Sequence, residues 1–130
     1  MNRLIRALAP VCLLGAASLC AAQGWPAKPV TIVVPFPAGG TTDVLARAIA
    51  TKLGPVINQS VIVDNRPGAG ATLGAALVAK AAPDGHTLLM GAVHHTIATS
   101  VYKKLSYNFQ KDFAPITTVA LVPNVLVVSS

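Results

Sequence analysis

The hydrophobic rhythm of the chain changes several times, and each change marks a predicted element. From Leu4 to Leu19 nearly every residue is apolar, with Arg3 and Arg6 near the start and the small residues Cys20-Ala21-Ala22 at the end. That order of positive charge, apolar stretch and small residues is that of an export signal, cleaved after Ala22. A membrane anchor is the competing reading. Pro10 and Gly15 interrupt the stretch, however, and it falls short of the roughly 20 residues that a spanning helix needs. Residues 23–130 are the part expected to fold.

Within that part, Pro29 to Val34 is a compact β-branched run closed by Pro35, the pattern of a strand buried on both faces. A helix is predicted from Thr41 or Thr42 to Leu53, with Leu45, Ala48, Ile49 and Leu53 on its apolar face and Gly54-Pro55 as its stop. Asp43 falls in its first turn, four residues before Arg47, an orientation that favours both the helix dipole and an ion pair. A second strand spans Ser60 to Asp64. The glycine-bearing loop Asn65 to Gly70 leads from it into a helix from Thr72 to Ala82, whose Leu73, Ala76, Leu77 and Ala81 repeat the apolar stripe. Pro83-Asp84-Gly85 is a turn, and His86 to Met90 a third strand. Beyond Gly91 the pattern predicts a short helix from Thr96 to Tyr102, then strands at Ile116 to Ala120 and Val125 to Val128.

Alternating strands and helices predict an α/β fold, a doubly wound, mostly parallel sheet with right-handed crossovers. No helix follows the last apolar strand, so residues 23–130 read as one lobe that is incomplete at its C-terminus.

Both cysteines, Cys12 and Cys20, lie in the signal, which leaves no disulfide, thiolate or cysteine metal site in the folded part. Without Arg3 and Arg6, eight Lys and Arg face four Asp and no Glu, a net charge of +4. These cations are scattered rather than gathered in a stripe, which argues against nucleic acid as a partner. A modest positive field suits small anions.

In a doubly wound sheet the ligand crevice lies beyond the carboxyl ends of the strands, where strand order reverses. With the first strand between the second and third, the bordering loops are Phe36-Pro37-Ala38-Gly39-Gly40-Thr41-Thr42-Asp43 and Gly91-Ala92-Val93-His94-His95-Thr96. Gly39 and Gly40 let backbone amides approach an anion at the start of a helix, and Thr41 and Thr42 add hydroxyls. A plain turn with Thr41 or Thr42 as N-cap explains the same residues equally well. His94 and His95 can donate hydrogen bonds, but the pair lacks the further ligands a metal needs. Gly68-x-Gly70-x-x-x-Gly74 fails as a dinucleotide fingerprint, because it does not follow the first strand and no acidic residue stands about 20 residues on. No P-loop and no G-x-S-x-G is present, so neither a cofactor nor catalysis is expected.

Several segments carry a resemblance: Trp25-Pro26-x-Lys28-Pro29, Val33 to Thr41 with Asp43, Leu45-Ala46-Arg47, Val63 to Gly70, Ala79 to Gly85 with Thr87-Leu88-Leu89, Tyr102 to Leu105 with Tyr107, and Asp112 to Ile116. Taken in order they resemble the Bug-type periplasmic receptors of the tripartite tricarboxylate transporter family. The resemblance implies a two-lobed solute-binding protein, a type II periplasmic-binding-protein-like fold, monomeric at full length. It would capture a small carboxylate, a di- or tricarboxylate or an acidic amino acid, and pass it to a membrane permease pair, without being an enzyme. By the same resemblance the ligand positions are Phe36, Ala38, Gly39, Gly40, Thr41, Thr42, Asp43, Gly91, His94, His95 and Thr96. The loop from Asn65 to Ala71 is expected to be mostly structural. Whole receptors of this family are well over twice as long, so a truncated product without transport role stands as the alternative.

Overall fold

The computed structural model describes residues 24–122 and Val127; the export-signal reading of residues 1–22 lies outside them. β1 (Val30–Val34) is the central strand, flanked by β2 (Val61–Asn65) and β3 (Thr87–Leu89) in the order β2-β1-β3. Both pairings are parallel, with Val30 beside Val61, Val34 beside Asn65 and Ile32 beside Leu88. Backbone bonds extend the ladders past the strand ends, from the Arg66 amide to the Val34 carbonyl (2.8 Å) and from the Met90 amide to the Val33 carbonyl (2.9 Å). The parallel α/β sheet expected from the sequence is thus present, with β1 covered on both sides as its β-branched run implies.

The helix α1 (Thr41–Ile57) continues through Pro55 instead of stopping at Gly54-Pro55. In the last turn a proline withholds a single amide, and the helix ends where Asn58 turns left-handed and donates its N–H to the Gly54 carbonyl. Ala46, not Ala48, is the fully buried alanine of α1, and it meets Ile32, Val34 and Met90 with Leu45 and Ile49 alongside. A 3-10 turn (Ala69–Ala71) leads into α2 (Thr72–Ala79), which is shorter than predicted. Its inward residues are Gly74 and Ala75, whereas Leu73 and Leu77, expected inside, are exposed. The cause is a close approach: a Cβ on Gly74 would stand 2.9 Å from both the Arg66 carbonyl and the Pro35 Cβ. Only the small-residue face of the helix can come that near to the sheet.

The helix α3 (His94–Val101) starts two residues earlier than its predicted start at Thr96. The strand predicted from Ile116 to Ala120 is irregular and exposed. Among the described residues nothing offers it a ladder, and β-branched composition alone does not make a strand. The other predicted strand, Val125 to Val128, lies outside the described residues apart from Val127. Among the described residues no helix is long and apolar enough to cross a membrane.

Candidate functional site

β1 and β3 end side by side, so the loops that follow them meet. Phe36, just past β1, sets its ring edge-on to His94 (centroids 5.4 Å apart) and to His95 (6.3 Å) at the start of α3. The two loops singled out from the sequence therefore form one surface. Ala38, Gly39, Gly40 and Thr41 are exposed on it and Thr42 is half-buried.

The cap of α1 is Gly40, in extended conformation, and no side chain bonds the first-turn amides. Neither Thr41 nor Thr42 is the N-cap; both are already inside the helix. Gly39 reaches a positive φ of 85°, a conformation that glycine adopts without cost. The dipole of a 17-residue helix thus ends at amides that no side chain caps, fronted by the exposed Gly40 and Thr41, the local chemistry that attracts an anion.

Asp43 does not share this exposure. It is 3 % exposed, and both carboxylate oxygens are occupied. Oδ2 accepts from the Gly39 amide (2.8 Å) and Arg47 Nε (3.0 Å), and Oδ1 accepts from Asn65 Nδ2 (3.0 Å). The Arg47 hydrogen bond first, then the Gly39 amide and Asn65, pull its pKa down to about 2. The i,i+4 ion pair foreseen with Arg47 forms, but the carboxylate faces the interior of the loop. Asn65, which the sequence places only in a loop of structural role, is the hub of this arrangement. It also donates to the Phe36 carbonyl (3.1 Å) and accepts from Arg47 Nη2 (3.0 Å).

The two histidines divide. His94 is exposed at the surface shared with Phe36, while His95 is 1 % exposed. The His95 ring stacks on Phe109 at 5.5 Å, and its Nδ1 lies 3.1 Å from the Ala92 amide and 3.0 Å from the Ala92 carbonyl. Burial pushes the His95 pKa below the usual imidazole value, so the ring is neutral at pH 7. The Thr96 hydroxyl donates to the Val93 carbonyl (2.7 Å), and Gly91 is exposed. Phe109, Phe113 and Tyr107 continue an aromatic cluster behind His95. Sequence spacing gave no sign of it, because the rings converge only in the folded chain.

A shallow recess of about 360 Å³ lined by Arg47, Ala50, Thr51, Val61 and Val63 lies on the flank of α1 and β2. A second, of about 380 Å³, is lined by Thr99, Tyr102, Lys103, Leu105, Phe109 and neighbouring residues of the same segment. Neither includes the exposed residues of the two loops. Each aspartate accepts hydrogen bonds within the chain: Asp84 from Lys28, Asp64 from Arg66, Asp112 from the Asn108 amide and Asp43 as above. The surface field is accordingly set by lysines. Among the described residues no group of three His, Cys, Asp or Glu could hold a metal ion.

Residues 45–130 match the family model described as the tripartite tricarboxylate transporter family receptor. A UPF0065 protein from the tcbD-tcbE intergenic region of Pseudomonas sp. (strain P51) is 42% identical over 126 residues, 95% of this chain and 38% of that protein. BugT of Bordetella pertussis is 41% identical over 115 residues, 87% of this chain and 35% of its own length. Among solved structures, MatC of Rhodopseudomonas palustris with bound malate superposes with a TM-score of 0.64 at 45% identity, over 70% of this chain and 31% of that one. The chain thus spans under two-fifths of the length of these relatives.

Proposed function

Since this chain belongs to the tripartite tricarboxylate transporter receptor family, we propose that it is the first lobe of an exported receptor that captures a small carboxylate in the periplasm. Residues 1–22 are its export signal and residues 23–130 its first-lobe segment. The ligand is a di- or tricarboxylate or an acidic amino acid, delivered to a membrane permease pair, and the chain carries out no catalysis. The observation that supports this most directly is the uncapped, glycine-fronted start of α1 beside Phe36 and His94. Malate bound to MatC, the relative superposed above, agrees in ligand class.

Each hydrogen bond to a charged group contributes about 1.5–3 kcal/mol, and a helix end adds about 0.3–1 kcal/mol. The α1 amides, the Thr41 hydroxyl and His94 are together enough to orient a carboxylate on this surface. Asp43 and His95 act from behind it. Calorimetric titration of the chain, and of any longer product of the same gene, with malate, citrate and aspartate tests the reading. Heat of binding is expected for at least one acid and none for ATP or NAD. Silence from all three acids in both proteins would overturn it.

A second reading rests on Leu73, Leu77, Ile97 and Val101, exposed on α2 and α3. It is a shortened gene product without transport role that associates through exposed apolar residues. A stop codon directly after Ser130 together with concentration-dependent association by light scattering would favour it. An open frame leading into a second lobe would remove it.

A further inference from the structure

The Asn65 side chain spends its hydrogen-bonding capacity across three elements. From the end of β2, its Nδ2 donates to the Phe36 carbonyl in the β1 loop (3.1 Å) and to Asp43 Oδ1 in α1 (3.0 Å), while its Oδ1 accepts from Arg47 Nη2 (3.0 Å). Arg47 closes the circuit by donating from Nε to Asp43 Oδ2 (3.0 Å), the oxygen that also holds the Gly39 amide at 2.8 Å. Asp43 is buried at the centre of the circuit, and the exposed Arg47 lines the recess on the flank of α1 and β2. The circuit fixes the backbone at two points of the β1 loop: Phe36, whose ring meets both histidines, and Gly39, whose left-handed turn sets up the helix start.

We propose that Asn65 and Arg47 are positioning residues for the ligand surface, holding the Asp43 carboxylate inward so that the β1 loop keeps its shape and the first-turn amides of α1 stay free. The proposal rests on the carboxylate reading above for what the loop is shaped to bind. Two physical demands meet in the circuit. A carboxylate in the first turn of a helix would otherwise turn onto the free amides and compete with any anionic ligand. Arg47 and Asn65 give it better-placed donors on the inner side, and the guanidinium cancels its charge, so an incoming anion meets no unpaired negative group. Arginine suits the task because its planar fork reaches Asp43 and Asn65 at once, which a lysine ammonium cannot do with the same geometry.

Two variants of the full chain separate positioning from general stability. Asn65→Asp keeps the shape but replaces both Nδ2 donors with an acceptor facing Asp43; Arg47→Lys keeps the charge but loses the fork. Amide exchange read by nuclear magnetic resonance should show Gly39 exchanging at least tenfold faster in either variant. The Thr31 and Met90 amides, which anchor β1 to its neighbours, should change by no more than global stability dictates. Uniform acceleration, or a Gly39 amide as protected as in the parent chain, would overturn the proposal, and if Asn65→Asp does not fold, Arg47→Lys alone decides it.

Malate, citrate and aspartate titrations form the second arm, with at least a tenfold weaker Kd expected in both variants. Unchanged affinity in a variant whose Gly39 amide is unchanged overturns the positioning role and leaves the receptor reading standing. Loss of Gly39 protection in the variants, where neither the parent chain nor any longer product of the gene binds any of the acids, supports the positioning role and removes the receptor reading.

Discussion

The chain turns from strand to helix twice through glycine-rich loops, and the two turns use their glycines for opposite ends. After β1, a Cβ on Gly39 would meet nothing within 4 Å and one on Gly40 only the Pro37 carbonyl at 3.5 Å. These glycines keep space open in front of α1. After β2, a Cβ on Gly74 would stand 2.9 Å from backbone and side chain alike, and one on Gly70 would stand 2.5 Å from the Tyr102 hydroxyl. Those glycines let elements approach one another. Ala69 and Ala71 also adopt left-handed φ values of 47° and 72°, and Ala71 is buried. Both helices begin without a side-chain cap, yet the cap residue of α1, Gly40, is exposed while that of α2, Ala71, is buried. Glycine count says little about a binding loop; what stands where the missing side chain would be says far more.

The contrast breaks most sharply at Gly74. Gly74→Ala gains about 1 kcal/mol of helix propensity but forces its methyl into the Arg66 carbonyl and Pro35, where overpacking costs about 3 kcal/mol. A net loss of about 2 kcal/mol is expected from the urea midpoint followed by circular dichroism. A stabilised variant would mean that α2 can slide away from β1. Gly70→Ala should cost less, about 1 kcal/mol. Its φ of 61° strains an L residue, but the obstructing atom is the tip of a side chain that can swing. Adding Tyr102→Phe should recover part of that loss, and a double-mutant cycle without coupling would show that the hydroxyl is not the obstacle.

The same contrast separates what could be read in the sequence from what could not. The β-branched run of β1, the strand–helix alternation and the Asp43–Arg47 spacing are local signals, and each appears in the fold. Asn65 reaches partners 18, 22 and 29 residues away, so no window of sequence shows that it belongs with Asp43 and Phe36. On α2, periodicity favours burying the larger leucines, whereas close contact with Pro35 selects Gly74 and Ala75. His94-His95 looked like a loop pair. Starting α3 at His94 sends one ring outward and the other onto Phe109, a split that depends on where the first turn begins. The glycines at 39 and 40 did mark an exposed helix start, because glycine at a cap position leaves the amides without a local acceptor.

Acid should distinguish the two turns by a smaller margin. With its pKa held at about 2 by Arg47, Gly39 and Asn65, Asp43 binds a proton less readily in the folded chain than in the unfolded one. Its contribution to stability is complete above the ordinary carboxylate value of 3.8 and is lost as the pH falls through about 2. Beyond Asn65, which bonds Asp43 itself, the turn after β2 is held by packing and by the Thr72 hydroxyl donating to the Ala69 carbonyl, neither of which titrates. Asp84, held by Lys28 and the His86 amide, is also lowered to about 2, so the comparison is best made in an Asp84→Asn background. Between pH 4 and pH 2 the Gly39 amide should lose protection before the Ala71 amide does. Simultaneous loss, or an Asp43→Asn variant with an unchanged acid slope, would show that the carboxylate circuit does not govern the first turn.

The smallest effect on stability is also the one that most directly separates an open helix start from a covered one. Gly40 has φ −74° and ψ 166°, ordinary for an N-cap of any residue type, and the contact a Cβ would make with the Pro37 carbonyl is normal at 3.5 Å. Gly40→Asp therefore fits without strain, and its carboxylate can accept from the free first-turn amides. Exchanging glycine for a good cap gains only a few tenths of a kcal/mol, and the nearby Asp43 charge takes back part of that. Binding should move the other way and much further. The new carboxylate occupies the donors an external one would use and repels it, and losing a single charge-assisted bond worth about 1.5 kcal/mol already weakens binding about tenfold. Thermal unfolding and malate titration of the same variant should thus shift in opposite directions. If the affinity holds while the helix gains its cap, the amides of α1 are not where the ligand sits.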